Sequence, residues 1–208
     1  MASLHGPKAK LQRRFGQLLI SRAKYQKIIE KRPYPPGDHG KDKQFRSGRR
    51  SAFGLQLDEK QKLGFVYNVR ERQLRNYYKK AVKMPGRTGA NLLILLERRL
   101  DNIVLRAGFA ATIWGARQMV VHGHINVNGR RLDLPSYQVK PGDVISLREN
   151  LHKNVHILEL KDENSPTPDF MKRDWDTFSA TFTRIPEQKE IQVPVDMQLI
   201  VEYYNRLT

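Results

Sequence analysis

The stretch from Leu92 to Leu147 constrains the chain most, because it carries helical spacing first and strand alternation around a turn immediately after. Leu93, Leu96, Leu100, Ile103, Val104 and Ala107 recur at helical spacing, which predicts one apolar stripe with Arg99, Asn102 and Arg106 together on another face. Gly108 ends that helix, Thr112 caps a second one over IWGARQMVVHG, and Gly123 stops it. Ile113, Ala116, Met119 and Val120 are expected inside, with Gln118 and His122 stacked outside at i, i+4 and Arg117 alongside. His124-Ile-Asn-Val, Asn128-Gly129 and Arg130-Arg-Leu-Asp-Leu then alternate around an Asn-Gly pair, the strongest short-range hairpin signal. Pro141-Gly142-Asp143 turns the chain into a further strand, Val144-Ile-Ser-Leu.

Composition enters through its distribution. The chain has 38 Lys and Arg against 21 Asp and Glu, and residues 1–90 hold 23 of the basic and 6 of the acidic side chains, so the remainder balances at 15 each. A polyanion is the partner that explains such polarity; nucleic acid leads and a membrane surface comes second. The absence of Cys excludes disulfides and thiolate metal sites. No apolar run is long enough to span a bilayer, and the first residues lack the apolar core of a signal peptide. A cytoplasmic chain is expected, with an organellar matrix as the alternative.

Residues 1–54 are poor in apolar periodicity, dense in Lys and Arg, and broken by Pro33, Pro35 and Pro36. They read as an extended basic arm that orders on RNA, with Tyr34, His39 and Phe45 available to stack on bases. Further on, Asp58 is expected to cap DEKQKLGF and Asn68 to cap VRERQLRNYYKKAVKM, with Leu74, Tyr77, Tyr78 and Ala81 lining one side. Arg72, Arg75 and Lys79 form a row on another side, where Glu71 is the sole acid between Lys60 and Lys83, so phosphate contact is favoured over a salt-bridged surface. Past Leu151 come a helix-like run, a linker from Asp162 to Pro168, a strand over Trp175 to Phe182, and a last helix capped by Asp196. The fold class is α+β. An extended basic arm is expected over 1–42, a mostly helical domain over 43–90 completed by about 181–208, and a small α/β domain over 91–180 with two helices and an antiparallel hairpin-rich sheet.

The segment ARQMVVHGHINVNGRRLDLPSYQVKPGDVI closely resembles the alpha-L RNA-binding motif. RPYPPGDHG, EKQK, ERQLRNYYKKA, TGANLLILLERRLDNIVLRAGFA and LIVEYYNR match further blocks, in order, of the bacterial and organellar family of small-subunit ribosomal protein four. The resemblance implies a structural, non-enzymatic protein that binds the 5′ domain of small-subunit rRNA early in assembly. It also implies a place beside ribosomal protein five, near where mRNA enters, and an influence on decoding accuracy. RNA contact is implied on Arg13, Arg14, Arg49, Arg50, Arg72, Arg75, Arg99, Arg106, Arg117, Gln118, His122, His124 and Asn128. Many members carry a zinc knuckle whose first ligands are C-x-x-C after Gly-Pro. Here Gly6-Pro7 is followed by Ala9 and Gln12, and Lys27 stands where a later ligand would be, so no cofactor is expected.

Two other readings compete. Arg99-Leu100-Asp101 resembles the catalytic R-L-D of pseudouridine synthases, which would make the chain an RNA-modifying enzyme, yet Val104 and Arg106 replace the Thr and Gly of that signature. The simpler reading of Asp101 is structural, orienting the arginines beside it. Nor is His122-Gly-His124 the H-I-G-H of tyrosyl-tRNA synthetases. The other alternative is a free RNA-binding translational regulator.

Overall fold

A computed structural model of the chain describes residues 6–20, 22–45, 51–163 and 166–207, with the side chains of 43–45 excepted. The helices are α1 (Lys8–Phe15), α2 (Ala23–Lys31), α3 (Gly40–Phe45), α4 (Ala52–Val66), α5 (Glu71–Val82), α6 (Thr88–Glu97), α7 (Leu100–Arg106), α8 (Ile113–Val121), α9 (Val155–Glu163) and α10 (Met197–Asn205). The strands are β1 (Ile125–Val127), β2 (Arg130–Arg131), β3 (Val144–Leu147), β4 (Met171–Asp174) and β5 (Ser179–Phe182). Two compact units divide the chain. A terminal unit holds the described residues up to Arg75 together with those from Val193 onward, and a central unit runs from Asn76 to Gln192.

In the terminal unit the first segment is helical where the sequence reads as an extended arm. Gly16, at φ 64°, ends α1, and the fully buried Gln12 amide oxygen accepts from the backbone N–H groups of Leu19 and Ile20, both at 3.0 Å. Arg13 reaches past α2, donating from Nε to the carbonyls of Arg32 at 3.0 Å and Tyr34 at 3.1 Å. These bonds fold a chain too polar to collapse by itself. Ala9, Gln12 and Lys27, at the positions the resemblance gives to zinc ligands, offer no thiolate and do not fit the metal.

Two expected caps are displaced. Ser51, not Asp58, caps the helix: its hydroxyl accepts from the Gly54 N–H at 3.1 Å, which leaves Asp58 in mid-helix, paired with Arg14 at 3.1 Å. Asn68 lies at φ 50° in the turn that closes α4, where the Val69 N–H reaches the Gly64 carbonyl at 2.8 Å, so α5 starts later, at Glu71. A side chain on Gly64 would come within 3.0 Å of the Val69 carbonyl, so the turn would have to give by a few tenths of an ångström to take one. Asp196 caps α10 as expected, accepting from Gln198 N–H at 2.8 Å. The α10 helix packs on α4, with Tyr203 against Phe53 and the Tyr204 hydroxyl donating to Glu71 at 3.1 Å.

In the central unit the five strands form one antiparallel sheet in the order β2-β1-β3-β5-β4. Asn128 and Gly129, at φ 50° and 77°, make the expected tight turn between β1 and β2. Ile125, Val127, Ile145, Leu147, Ala180 and Phe182 are buried at alternate positions and share one core with Leu100, Ile103 and Val104 of α7 and Ala116 and Val120 of α8. Thr112 caps α8 by accepting from the Gly115 N–H at 3.2 Å. Of the strand expected over Trp175 to Phe182 only the second half forms, as β5; Trp175 to Phe178 make the turn that joins it to β4. Asp174 accepts from the Asp176 N–H at 2.9 Å and the Thr177 hydroxyl at 2.7 Å, and this turn chemistry breaks the alternation.

The long apolar stripe is also interrupted. It divides into α6 and α7 at Arg98 and Arg99, and Arg99 takes an extended conformation at φ −67°, ψ 139° and bridges to Gln138. The Val139 N–H donates to the Arg98 carbonyl at 2.8 Å and the Leu100 N–H to Tyr137 at 2.9 Å. A short piece of sheet geometry therefore replaces one helical turn.

Candidate nucleic-acid interface

The break between α6 and α7 turns Arg99 inward. Its side chain and that of Asp101 are both 0% exposed, and Arg117 on α8 is 4% exposed. Asp101 accepts from Arg99 Nε at 3.0 Å and Nη2 at 2.8 Å, and from Arg117 Nε at 2.9 Å and Nη2 at 2.5 Å. The remaining Arg99 nitrogen, Nη1, donates to the Tyr77 hydroxyl at 2.8 Å. Burial opposes the charge on Arg99, but Asp101 and Tyr77 outweigh it and hold its pKa above the ordinary value. Burial wins at Arg117, which shares the carboxylate and faces Arg99, so its pKa is lowered; as a guanidinium it stays charged. RNA contact expected on Arg99 and Arg117 is corrected accordingly: both guanidinium groups are consumed inside the core. Asp101, ringed by arginines and inaccessible, has the structural role that competed with the R-L-D catalytic reading.

A second buried acid takes up Arg106. Glu97, 1% exposed, accepts from Arg106 Nη2 at 2.8 Å and from Asn102 Nδ2 at 2.6 Å. The Arg106 side chain remains partly exposed. On the surface of the central unit, Gln118 and His122 are exposed, and the ring of half-buried His124 lies 5.9 Å from that of His122. The Asn128 amide ties its own turn to the next, donating to Asp143 at 2.9 Å and accepting from the Val144 N–H at 2.9 Å. The structure also brings exposed Arg131 and Arg148 to the turn at Gly123, beside the two histidines. Sequence reasoning had not singled out these two arginines, although strand pairing around the Asn-Gly turn brings Arg131 back toward residue 123.

On α5, whose first residues belong to the terminal unit and whose last belong to the central one, Arg72, Arg75 and Lys79 are exposed, opposite the buried Leu74 and Tyr78. Glu71, the helix's only acid, is held by Lys60 at 2.5 Å and by Tyr204, so it leaves these cations unneutralised. Burial and Glu71 together raise the Tyr204 pKa, which keeps the hydroxyl a donor. Arg14 is exposed and paired with Asp58, whereas Arg13 is spent on backbone carbonyls. Arg49, Arg50 and the side chain of Phe45 lie outside the described residues.

A motif of two helices and a hairpin, with cationic and amide groups around the turn that joins them, defines the class of S4-domain proteins. Residues 98–145 match the family model described as the S4 domain, and residues 3–97 match that of the ribosomal protein S4/S9 N-terminal domain. The small ribosomal subunit protein uS4 of Geobacillus sp. (strain WCH70) is 47% identical over 206 residues, covering 99% of this chain and 100% of that protein. The uS4 proteins of Lysinibacillus sphaericus (strain C3-41) and Latilactobacillus sakei subsp. sakei (strain 23K) are 48% and 47% identical, with 99% of this chain and 100% of each relative covered. The chain belongs to the uS4 family of small ribosomal subunit proteins.

Proposed function

We propose that the chain is a structural, non-enzymatic protein of the small ribosomal subunit that binds the 5′ domain of small-subunit rRNA and nucleates assembly there. In this reading it works in the cytoplasm, beside ribosomal protein five and the path by which mRNA enters, and contributes to decoding accuracy. The observation that carries the reading is the face of α5. Arg72, Arg75 and Lys79 stand exposed while Glu71 is turned to Lys60 and Tyr204, which is the arrangement phosphate contact requires and a salt-bridged surface does not. Membership of the uS4 family supports the assignment to rRNA over other polyanions.

The mechanism is architectural. Exposed cations neutralise phosphates and release counterions, which gives affinity, while the rigid S4 motif fixes where the contact forms. Binding of the full chain to a transcript of the rRNA 5′ domain, followed against salt, tests it. Arg72→Gln/Arg75→Gln is expected to flatten the slope of log K against log salt by about 2 and weaken binding to unrelated transcripts in proportion. An unchanged slope would remove α5 from the interface.

A further inference from the structure

Where α8 gives way to β1, four side chains able to carry positive charge meet around one glycine. His122 and His124 flank Gly123. Arg131, returning on β2, lays its guanidinium over the face of Gly123 that a side chain would occupy; the exposed arginine could swing aside, and it is the φ of 70° that favours glycine here. Arg148, just past β3, donates its backbone N–H to the His124 carbonyl at 3.1 Å and points Nη1 toward the Gly123 carbonyl at 3.5 Å. Among the described residues neither arginine has a carboxylate partner. The C-terminal end of α8 accounts for part of the crowding, since its carbonyls favour cations. It offers no full negative charge to balance them.

His124 is the sensitive member. Its Nδ1 is buried and unpartnered. Burial first, then the charges of His122, Arg148 and Arg131, lower its pKa from the usual imidazole value; every charged group acting on the ring is a cation. In the free protein the ring is therefore neutral at neutral pH. A phosphodiester entering this turn would cancel the crowding and make the protonated ring favourable.

We propose that the Gly123 turn is a phosphodiester site, in which Arg131 and Arg148 hold the nonbridging oxygens and His124 gains a proton as the RNA arrives, so that binding here tightens as pH falls. The inference rests on the rRNA-binding reading above and adds two contact residues and a proton to it. Linkage fixes the sign: phosphate raises the affinity of His124 for a proton, so a proton raises the affinity for phosphate by the same factor. The effect is bounded at tenfold per pH unit for a single proton.

The test is the affinity of the full chain for the rRNA 5′-domain transcript between about pH 5.5 and about pH 8, at fixed ionic strength. The wild-type chain is expected to bind about three- to tenfold more tightly at the acid end. His124→Gln should flatten the profile, so that the ratio of its affinities at the two ends of the range falls toward one whatever its affinity at the alkaline end. Arg131→Gln/Arg148→Gln, which alters exposed side chains only, should weaken binding throughout and lower the salt slope by about 2. A pH profile of His124→Gln parallel to wild type would overturn the proposal, as would a double-arginine variant with an unchanged salt slope. Failure of the wild-type chain to bind the transcript at any pH would instead overturn the rRNA-binding reading, and this site with it.

Discussion

Removing the Asp101 carboxylate would leave two guanidinium groups in the core without a counter-charge. Asp101→Ala is therefore expected to cost about 3–5 kcal/mol in denaturant unfolding. Arg117→Leu in the same background should recover part of the loss, because it removes one of the stranded charges. Arg99→Ala and Arg117→Ala should lower stability while leaving the RNA salt slope where it was. The arginines alone do not betray this inward role, since an arginine has the same letter on a phosphate-facing surface and around a buried acid; only Asp101, read as orienting its neighbours, pointed to it. The helical wheel put Arg99 outside because no Gly or Pro marks the break between Glu97 and Leu100. That break goes with the bridge to Gln138, 39 residues further on, which no local pattern contains.

Elements held by local chemistry were legible, and elements held by distant partners were not. Thr112 and Asp196 cap the helices they precede, the Asn-Gly pair makes its hairpin, and Leu74, Tyr77, Tyr78 and Ala81 are buried along α5. By contrast α1 and α2 hide in a basic, proline-punctuated stretch because Gln12 and Arg13 fold it through bonds to backbone 7 to 22 residues ahead. Gln12→Ala would leave the Leu19 and Ile20 N–H groups unsatisfied, at about 1–3 kcal/mol. Hydrogen exchange should show that loss at Leu19 and Ile20 and leave the β1–β3 ladder protected; equal loss in both places would mean that Gln12 supports far more than its own turn. Of the candidate RNA contacts, Arg72, Arg75, Gln118 and His122 stand exposed on the sides their periodicity assigned, while Arg13 became part of the scaffold.

At the scale of the whole molecule, the charge is polarised along the sequence and so is the fold. The terminal unit takes its last helix, α10, from the far end of the chain: Gln56 meets Glu202 at 3.1 Å, Tyr204 meets Glu71, and the Asp196 N–H meets Glu59 at 2.9 Å. A chain ended after Gln192 should keep the sheet of the central unit protected from exchange while α4 and the first half of α5 lose protection; full protection of α4 in that chain would show that α10 is dispensable. Synthesis runs from the basic end, at roughly 5–20 residues per second, so about ten seconds separate completion of Arg75 from arrival of α10. Throughout that interval the basic segment has been made and still lacks the helix that packs on α4. The most cationic part of the protein thus waits for a helix from the far end of the chain, and until then it is an unfinished polycation among the polyanions of the cell.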